Sequence, residues 1–238
     1  MNKNRKWSMR VLLLLAAAAI GFSGWTLWTE ARVQRESDEQ MDLKPQPLED
    51  DPRLLDFGGL LAQYPDLAAW LTIDGTMIDY PVVQAGDNSY YLDHTAQNVS
   101  NKKGALFMDY RNRRDCSDFN TVVYGHSMRL RSEAMFGGLP KFKEKAYFDS
   151  HKTGTLYTPE GTWPLEIFAV AVVEAGGAFY DYAFDSPASR QAHLDMIAAK
   201  AIFYRDIGAA EGDRLLTLST CSYEFQEART VVIARIAA

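Results

Sequence analysis

The chain reads as a mostly β protein of barrel or sandwich type, carried behind one N-terminal membrane segment. Three observations predict this. Short apolar, β-branched runs recur from residue 69 to the C-terminus, with turn signals such as Asp74-Gly75 between them. Only one strong helical pattern, residues 186–205, interrupts those runs. The first 28 residues hold four basic side chains, no acid and a long uncharged apolar stretch.

In chain order, Lys3, Arg5, Lys6 and Arg10 precede an uncharged run over residues 11–28, with Trp7 at one end and Trp25 and Trp28 at the other, where interfacial aromatics belong. About 20 residues suffice for one span. A cleaved signal peptide wants a small-residue site after a shorter apolar region, whereas the alanines at 16–19 lie inside the run, so a retained anchor is expected. The basic flank places the N-terminus in the cytoplasm and the remaining chain outside. Residues 1–29 are thus the basic tip and transmembrane helix. Residues 30–50, rich in Glu, Asp and Gln with Pro45 and Pro47, read as a polar stalk, and residues 51–238 as the extracytoplasmic domain. Pro52 followed by Leu54, Leu55, Phe57, Leu60 and Leu61 predicts a short amphipathic helix at its start.

Strands are expected at 69–73, 77–83, 104–108, 120–124, 155–157, 163–173, 215–221 and 230–236. In the helical stretch Ser186 caps, Pro187 takes the first position, and Leu194, Ile197, Ala198, Ala201 and Ile202 form the apolar stripe. His193 falls on its polar side, and Gly208 closes it.

With 47% hydrophobic and 24% charged residues the chain suits one ordinary globular core. Of 25 Lys and Arg, four precede the span, leaving 21 against all 31 acids, a balance of −10. Nucleic-acid binding loses support, because no basic patch with interleaved aromatics is present. Two cysteines 105 residues apart and no histidines at ligand spacing give no metal pattern, and no cofactor motif is present. Cys116 lies in the polar run Arg113-Arg114-Asp115-Cys116-Ser117-Asp118, which reads as an exposed loop, so a disulfide with Cys221 is not expected.

Chemistry concentrates at three points. Cys221 ends the strand Leu215-Leu216-Thr217-Leu218-Ser219-Thr220-Cys221, and Arg229 opens the next one. A thiol becomes a good nucleophile once its proton is removed or its thiolate is stabilised, and a guanidinium holds either a thiolate or an acyl-transfer oxyanion. His126 follows the strand Thr121-Val122-Val123-Tyr124 across Gly125, at the change from strand to loop. A lone cysteine is most often a small buried hydrophobe and a lone histidine a structural one. Nucleophile, acid/base and oxyanion donor together make a complete set for acyl transfer.

Thr217-Leu218-Ser219-Thr220-Cys221 with Arg229 resembles the signature of sortases, the cysteine transpeptidases that attach surface proteins to Gram-positive cell walls. Class B members are resembled most: Ile78-Asp79-Tyr80-Pro81-Val82-Val83-Gln84, Asp87-Asn88-Ser89-Tyr90-Tyr91-Leu92, Gly104-Ala105-Leu106-Phe107-Met108-Asp109, Asn120-Thr121-Val122-Val123-Tyr124-Gly125-His126 and Met135-Phe136-Gly137 stand in the family's order. The resemblance implies an eight-stranded β-barrel with an N-terminal helical region and a long helix between the sixth and seventh strands. It implies His126, Cys221 and Arg229 as catalytic residues, with Thr220 and Ser219 at the substrate. It also implies cleavage of a C-terminal sorting motif after Thr, through a Cys221 thioacyl intermediate, and transfer to an amine of a lipid-linked peptidoglycan precursor. The residues 127–133 depart from the family pattern by lacking an expected Asn and Asp-Gly. Two other readings stay open: a cysteine peptidase with water as acceptor, and a tethered binding module whose cysteine is only core.

Overall fold

The structure is a computed structural model that describes residues 15–17, 19–25, 28, 56–127 and 133–237. By contacts the chain divides into a unit through Glu39 and a second unit from Gln40. In the first, the described residues are helical and expose Leu15, Ile20, Phe22, Trp25 and Trp28. Among the described residues no helix is long and apolar enough to cross a membrane. The basic tip, much of the expected span and the whole stalk lie outside them, as do Pro52, Leu54 and Leu55 and most of the loop after His126.

The second unit is built on strands β1 (Leu67–Ile73), β2 (Asp79–Val83), β3 (Leu106–Met108), β4 (Asn120–Tyr124), β5 (Thr153–Thr158), β6 (Gly161–Glu174), β7 (Phe203–Tyr204), β8 (Arg214–Cys221) and β9 (Ala228–Ile236). They run β5-β1-β2-β3-β4-β8-β9-β6-β7, and β5 also pairs with β6. Eight strands therefore close on themselves, and β7 is a two-residue addition to β6. This is the expected eight-stranded barrel. Closure leaves no long free edge, which satisfies the backbone polar groups around the ring.

Two pairings are parallel, β2 with β3 and β4 with β8, and the rest are antiparallel. The barrel interior packs Leu71, Leu106, Val123, Leu216, Leu218 and Val232 with Phe136 and Phe142. A second core lies outside the barrel, where Phe119, Phe168, Leu215, Val231 and Ile233 meet Leu194 and Ile197. Strand β8 is consequently buried on both faces, and its polar residues need internal partners. Thr217 Oγ1 donates to Asn120 Oδ1 at 2.8 Å, and Asn120 Nδ2 donates to the carbonyls of Phe179 (3.1 Å) and Asp181 (2.8 Å).

Among the described residues three α-helices accompany the barrel. Helix α1 (Gly58–Gln63) sets Leu60 and Leu61 against Phe57 and Trp70. Helix α2 (Lys145–Ser150) buries Phe148. Helix α3 (Pro187–Lys200) lies between the sixth and seventh barrel strands, with the predicted start: Ser186 Oγ accepts from Ser189 N at 3.2 Å and Pro187 opens the first turn.

Three expectations are corrected. The helix ends at Lys200, not near 205, because the Ile202 and Arg205 N–H groups donate to Val170 and Phe168 carbonyls (both 2.7 Å), and strand pairing with β6 replaces the last helical turn. His193 is buried, not on a polar face: its ring lies edge-on to Phe119 (6.0 Å) and Phe184 (5.0 Å), and burial pushes its pKa down to about 4. Cys116 is fully buried, not exposed. The polar run turns there at φ +55°, closed by Cys116 N to Arg113 O at 3.0 Å, so the charged neighbours face outward while the thiol joins the barrel core.

Candidate active site

Sheet register assembles the site. In the parallel β4–β8 pair, Tyr124 stands opposite Ser219, so two residues further on the chain carries His126 to the level of Cys221. In the antiparallel β8–β9 pair Cys221 is the direct partner of Arg229. Opposed residues in such a pair project to the same face with Cα atoms about 5 Å apart. One parallel and one antiparallel neighbour of β8 thus bring His126 and Arg229 to Cys221 at one end of the barrel.

The turn carrying His126 is held tightly. Gly125 N donates to Ser219 O at 3.1 Å, and Thr220 Oγ1 donates to Gly125 O at 2.7 Å. A Cβ at Gly125 would sit 2.4 Å from Leu106 Cδ2 and 2.7 Å from the Phe136 ring, so only glycine lets the chain pass between them. His126 Nε2 lies 2.8 Å from the Leu92 carbonyl. A carbonyl only accepts, so in this contact Nε2 carries the hydrogen.

Arg229 Nη1 donates to Ala228 O at 3.0 Å, and Nη2 donates to Glu227 Oε2 at 3.2 Å. Glu227 adopts φ +58° at the entry to β9. Cys221 is half-buried and free. Together His126, Cys221 and Arg229 line a cleft of about 290 Å³ whose walls include Leu92, Phe107, Tyr124 and Tyr180. Ser219 and Thr220 line it too, although both are buried with their hydroxyls engaged, Ser219 Oγ with Tyr180 OH at 2.9 Å.

In the cleft wall the Tyr124 and Tyr180 rings stack, 6.0 Å apart and 12° from parallel. Tyr124 OH donates to Asp109 Oδ2 at 2.8 Å, and Arg111 donates to both oxygens of the same carboxylate at 2.9 and 2.8 Å. Burial alone would raise the Asp109 pKa. The Arg111 and Tyr124 hydrogen bonds outweigh it and hold the group below the usual carboxylate range. Burial raises the Tyr180 phenol, with the hydrogen bond shared with Ser219 and the Arg229 charge opposing. Tyr180, Tyr124 and Leu92 escaped the residue-by-residue reading because an aromatic or leucine in a strand or short turn looks like core, and only the closed barrel shows it facing a cleft.

The sortase domain model matches residues 71–237, which contain every strand from β2 to β9 and all three predicted catalytic side chains. The chain belongs to the sortase family. Its relatives are class B sortases. It is 28% identical to sortase B of Listeria monocytogenes over 235 residues, covering 94% of this chain and 95% of the relative. Among solved structures, Clostridium perfringens sortase B is 36% identical with a TM-score of 0.70, covering 76% of this chain and 98% of that one. A mutant form of the same enzyme, with a cysteine replaced by serine, superimposes with a TM-score of 0.78 at 33% identity over 86% of this chain and 98% of that one. Membership of the sortase family assigns the activity, cysteine transpeptidation, to a barrel on which the ends of β4 and β8 and the start of β9 meet at Cys221.

Proposed function

We propose that this chain is a membrane-anchored class B sortase that cleaves a C-terminal sorting motif after Thr and transfers the new acyl end to an amine of a lipid-linked peptidoglycan precursor. The supporting observation is the direct pairing of Cys221 with Arg229 across β8 and β9, level with His126 in one cleft. The Cys221 thiolate attacks the Thr carbonyl, and the Arg229 guanidinium steadies the oxyanion. The C–N bond then breaks as protonated His126 delivers its proton to the leaving amine, leaving a thioester on Cys221. An acceptor amine attacks that thioester, gives its proton to His126, and expels the thiolate. Ser219 and Thr220 form the cleft wall against the bound peptide, and Thr220 also fixes Gly125 and hence His126.

The anchor reading rests on the sequence of residues 1–29: basic tip, uncharged run and terminal tryptophans. A related sortase B has been solved in complex with triglycine, which supports a peptide amine as acceptor.

Incubation with a panel of motif peptides tests the reading by intact mass. A thioester on Cys221 that converts to a peptide–amine adduct when triglycine is added is expected. A thioester that only hydrolyses in the presence of amines would make the chain a peptidase, and no adduct on Cys221 with any peptide would overturn the proposal. The full chain should sediment with membranes, and deletion of residues 1–29 should release a folded, soluble domain.

A further inference from the structure

A second cleft, of about 340 Å³, reaches Cys221 from another side, lined by Ser127, Pro140, Lys143, Ser222, Tyr223 and Glu224. Among the described residues Cys221 alone lines both clefts. Acyl transfer brings two molecules to one carbonyl carbon in turn, and a second cleft gives the acceptor its own route to that carbon. If the acyl chain fills the cleft holding His126 and Arg229, the acceptor needs a separate approach to the thioester.

The second cleft has a definite charge element. Glu224, in the loop joining β8 and β9, accepts a hydrogen bond from Lys143 Nζ, which is carried by the short 3-10 turn Leu139–Lys143. Burial alone would raise the Glu224 pKa, but hydrogen bonds, that from Lys143 the largest, hold it near the bottom of the carboxylate range, at about 2. Glu224 is therefore ionised at any working pH. Its present partner is a primary alkylammonium, the Lys143 side chain, which is the chemical form of a peptide N-terminus or a lysine-like acceptor at neutral pH. Both side chains remain partly accessible, 26% for Lys143 and 38% for Glu224, so exchange of one ammonium for another is sterically open.

We infer that this second cleft is the entry for the acceptor amine, that Glu224 recognises the acceptor's ammonium group, and that Lys143 is the internal ammonium the acceptor displaces. The inference rests on the transpeptidase reading above. On binding, the acceptor ammonium loses one proton to water. The neutral amine then forms the C–N bond as the C–S bond breaks, its second proton passes to His126, and Cys221 leaves as thiolate.

The two charges carry opposite expectations, which separates recognition from mere support of the loop. With a motif peptide and triglycine as the probe, Glu224→Gln should lower the ratio of transfer to hydrolysis about two- to fivefold and raise the acceptor KM to match, the size expected for one partly exposed ion pair. Lys143→Met should raise the ratio and lower that KM, because it removes the competing ammonium. Transfer to hydroxylamine, a neutral amine at pH 7.5, should ignore Glu224→Gln. If both substitutions lower the ratio, or if Glu224→Gln slows thioester formation by the same factor as transfer, the pair only supports the loop and the inference fails. A thioester whose partition ignores both substitutions overturns the acceptor site alone, whereas absence of any thioester on the unsubstituted chain overturns the transpeptidase reading beneath it.

Discussion

Cys116 and Cys221 are each followed by serine, and their environments could hardly differ more. Cys116 is fully buried in the barrel core, and burial pushes its thiol up to about 12, with the nearby Arg214 charge the opposing influence. Cys221 ends β8 half-buried, with Arg229 directly across the ladder and two clefts open to it. Reactivity follows the thiolate, which requires water access or a cation to stabilise it. The same element is therefore inert filling at one site and, on the proposed mechanism, the attacking atom at the other, and polar neighbours in sequence predict neither.

The strongest way to break the comparison is to remove one thiol. Cys221→Ala should abolish thioester formation, since no other group supplies the covalent bond, and His126→Ala should remove turnover because the amine leaves poorly without a proton. Mass spectrometry for the adduct checks the first and steady-state transfer the second. Detectable thioester on Cys221→Ala would return the chemistry to Cys116.

Next in size is the cation beside Cys221. Arg229→Lys should remain folded yet lose roughly 10²-fold in rate, because an ammonium cannot reproduce the planar fork that holds the oxyanion. Near-normal turnover with an unchanged melting curve would leave a plain Cys–His pair.

His193 sharpens the burial side of the contrast. Its folded pKa of about 4 lies below the ordinary value of 6.5, so the unfolded chain takes up the proton first as pH falls. The stability it permits is complete above pH 6.5 and is lost as pH drops towards 4, by on the order of 3 kcal/mol. His193→Gln should flatten that part of the stability–pH curve, and denaturant midpoints at several pH values would show it; an equally steep curve would place the acid sensitivity elsewhere.

The smallest effect belongs to Cys116→Ser. Activity per folded molecule should stay within a few-fold, while a hydroxyl in an apolar site should cost about 1–2 kcal/mol by denaturant unfolding. Iodoacetamide at pH 7 should label Cys221 quickly and Cys116 only on unfolding. Rapid labelling of Cys116 in the folded chain would contradict its burial.

Much was legible in the sequence. Every barrel strand was foreseen within a few residues, because period-two apolar runs and turn residues act locally. The capped start of α3 was legible for the same reason. The catalytic candidates could be named because strand-end Cys221, His126 and Arg229 are chemically uncommon in those settings. What only the tertiary structure decided depends on register and closure. The level of His126 with Cys221 follows from parallel pairing of β4 with β8, a contact between segments about 95 residues apart that no local pattern encodes. The end of α3 at Lys200 was set by free hydrogen-bonding groups on β6, and the burial of Cys116 and His193 by a turn and by two phenylalanines brought in from elsewhere. Backbone preference acts over a few residues, whereas burial is the sum of everything that folds over a side chain, so the first can be read along the chain and the second only once the barrel has closed.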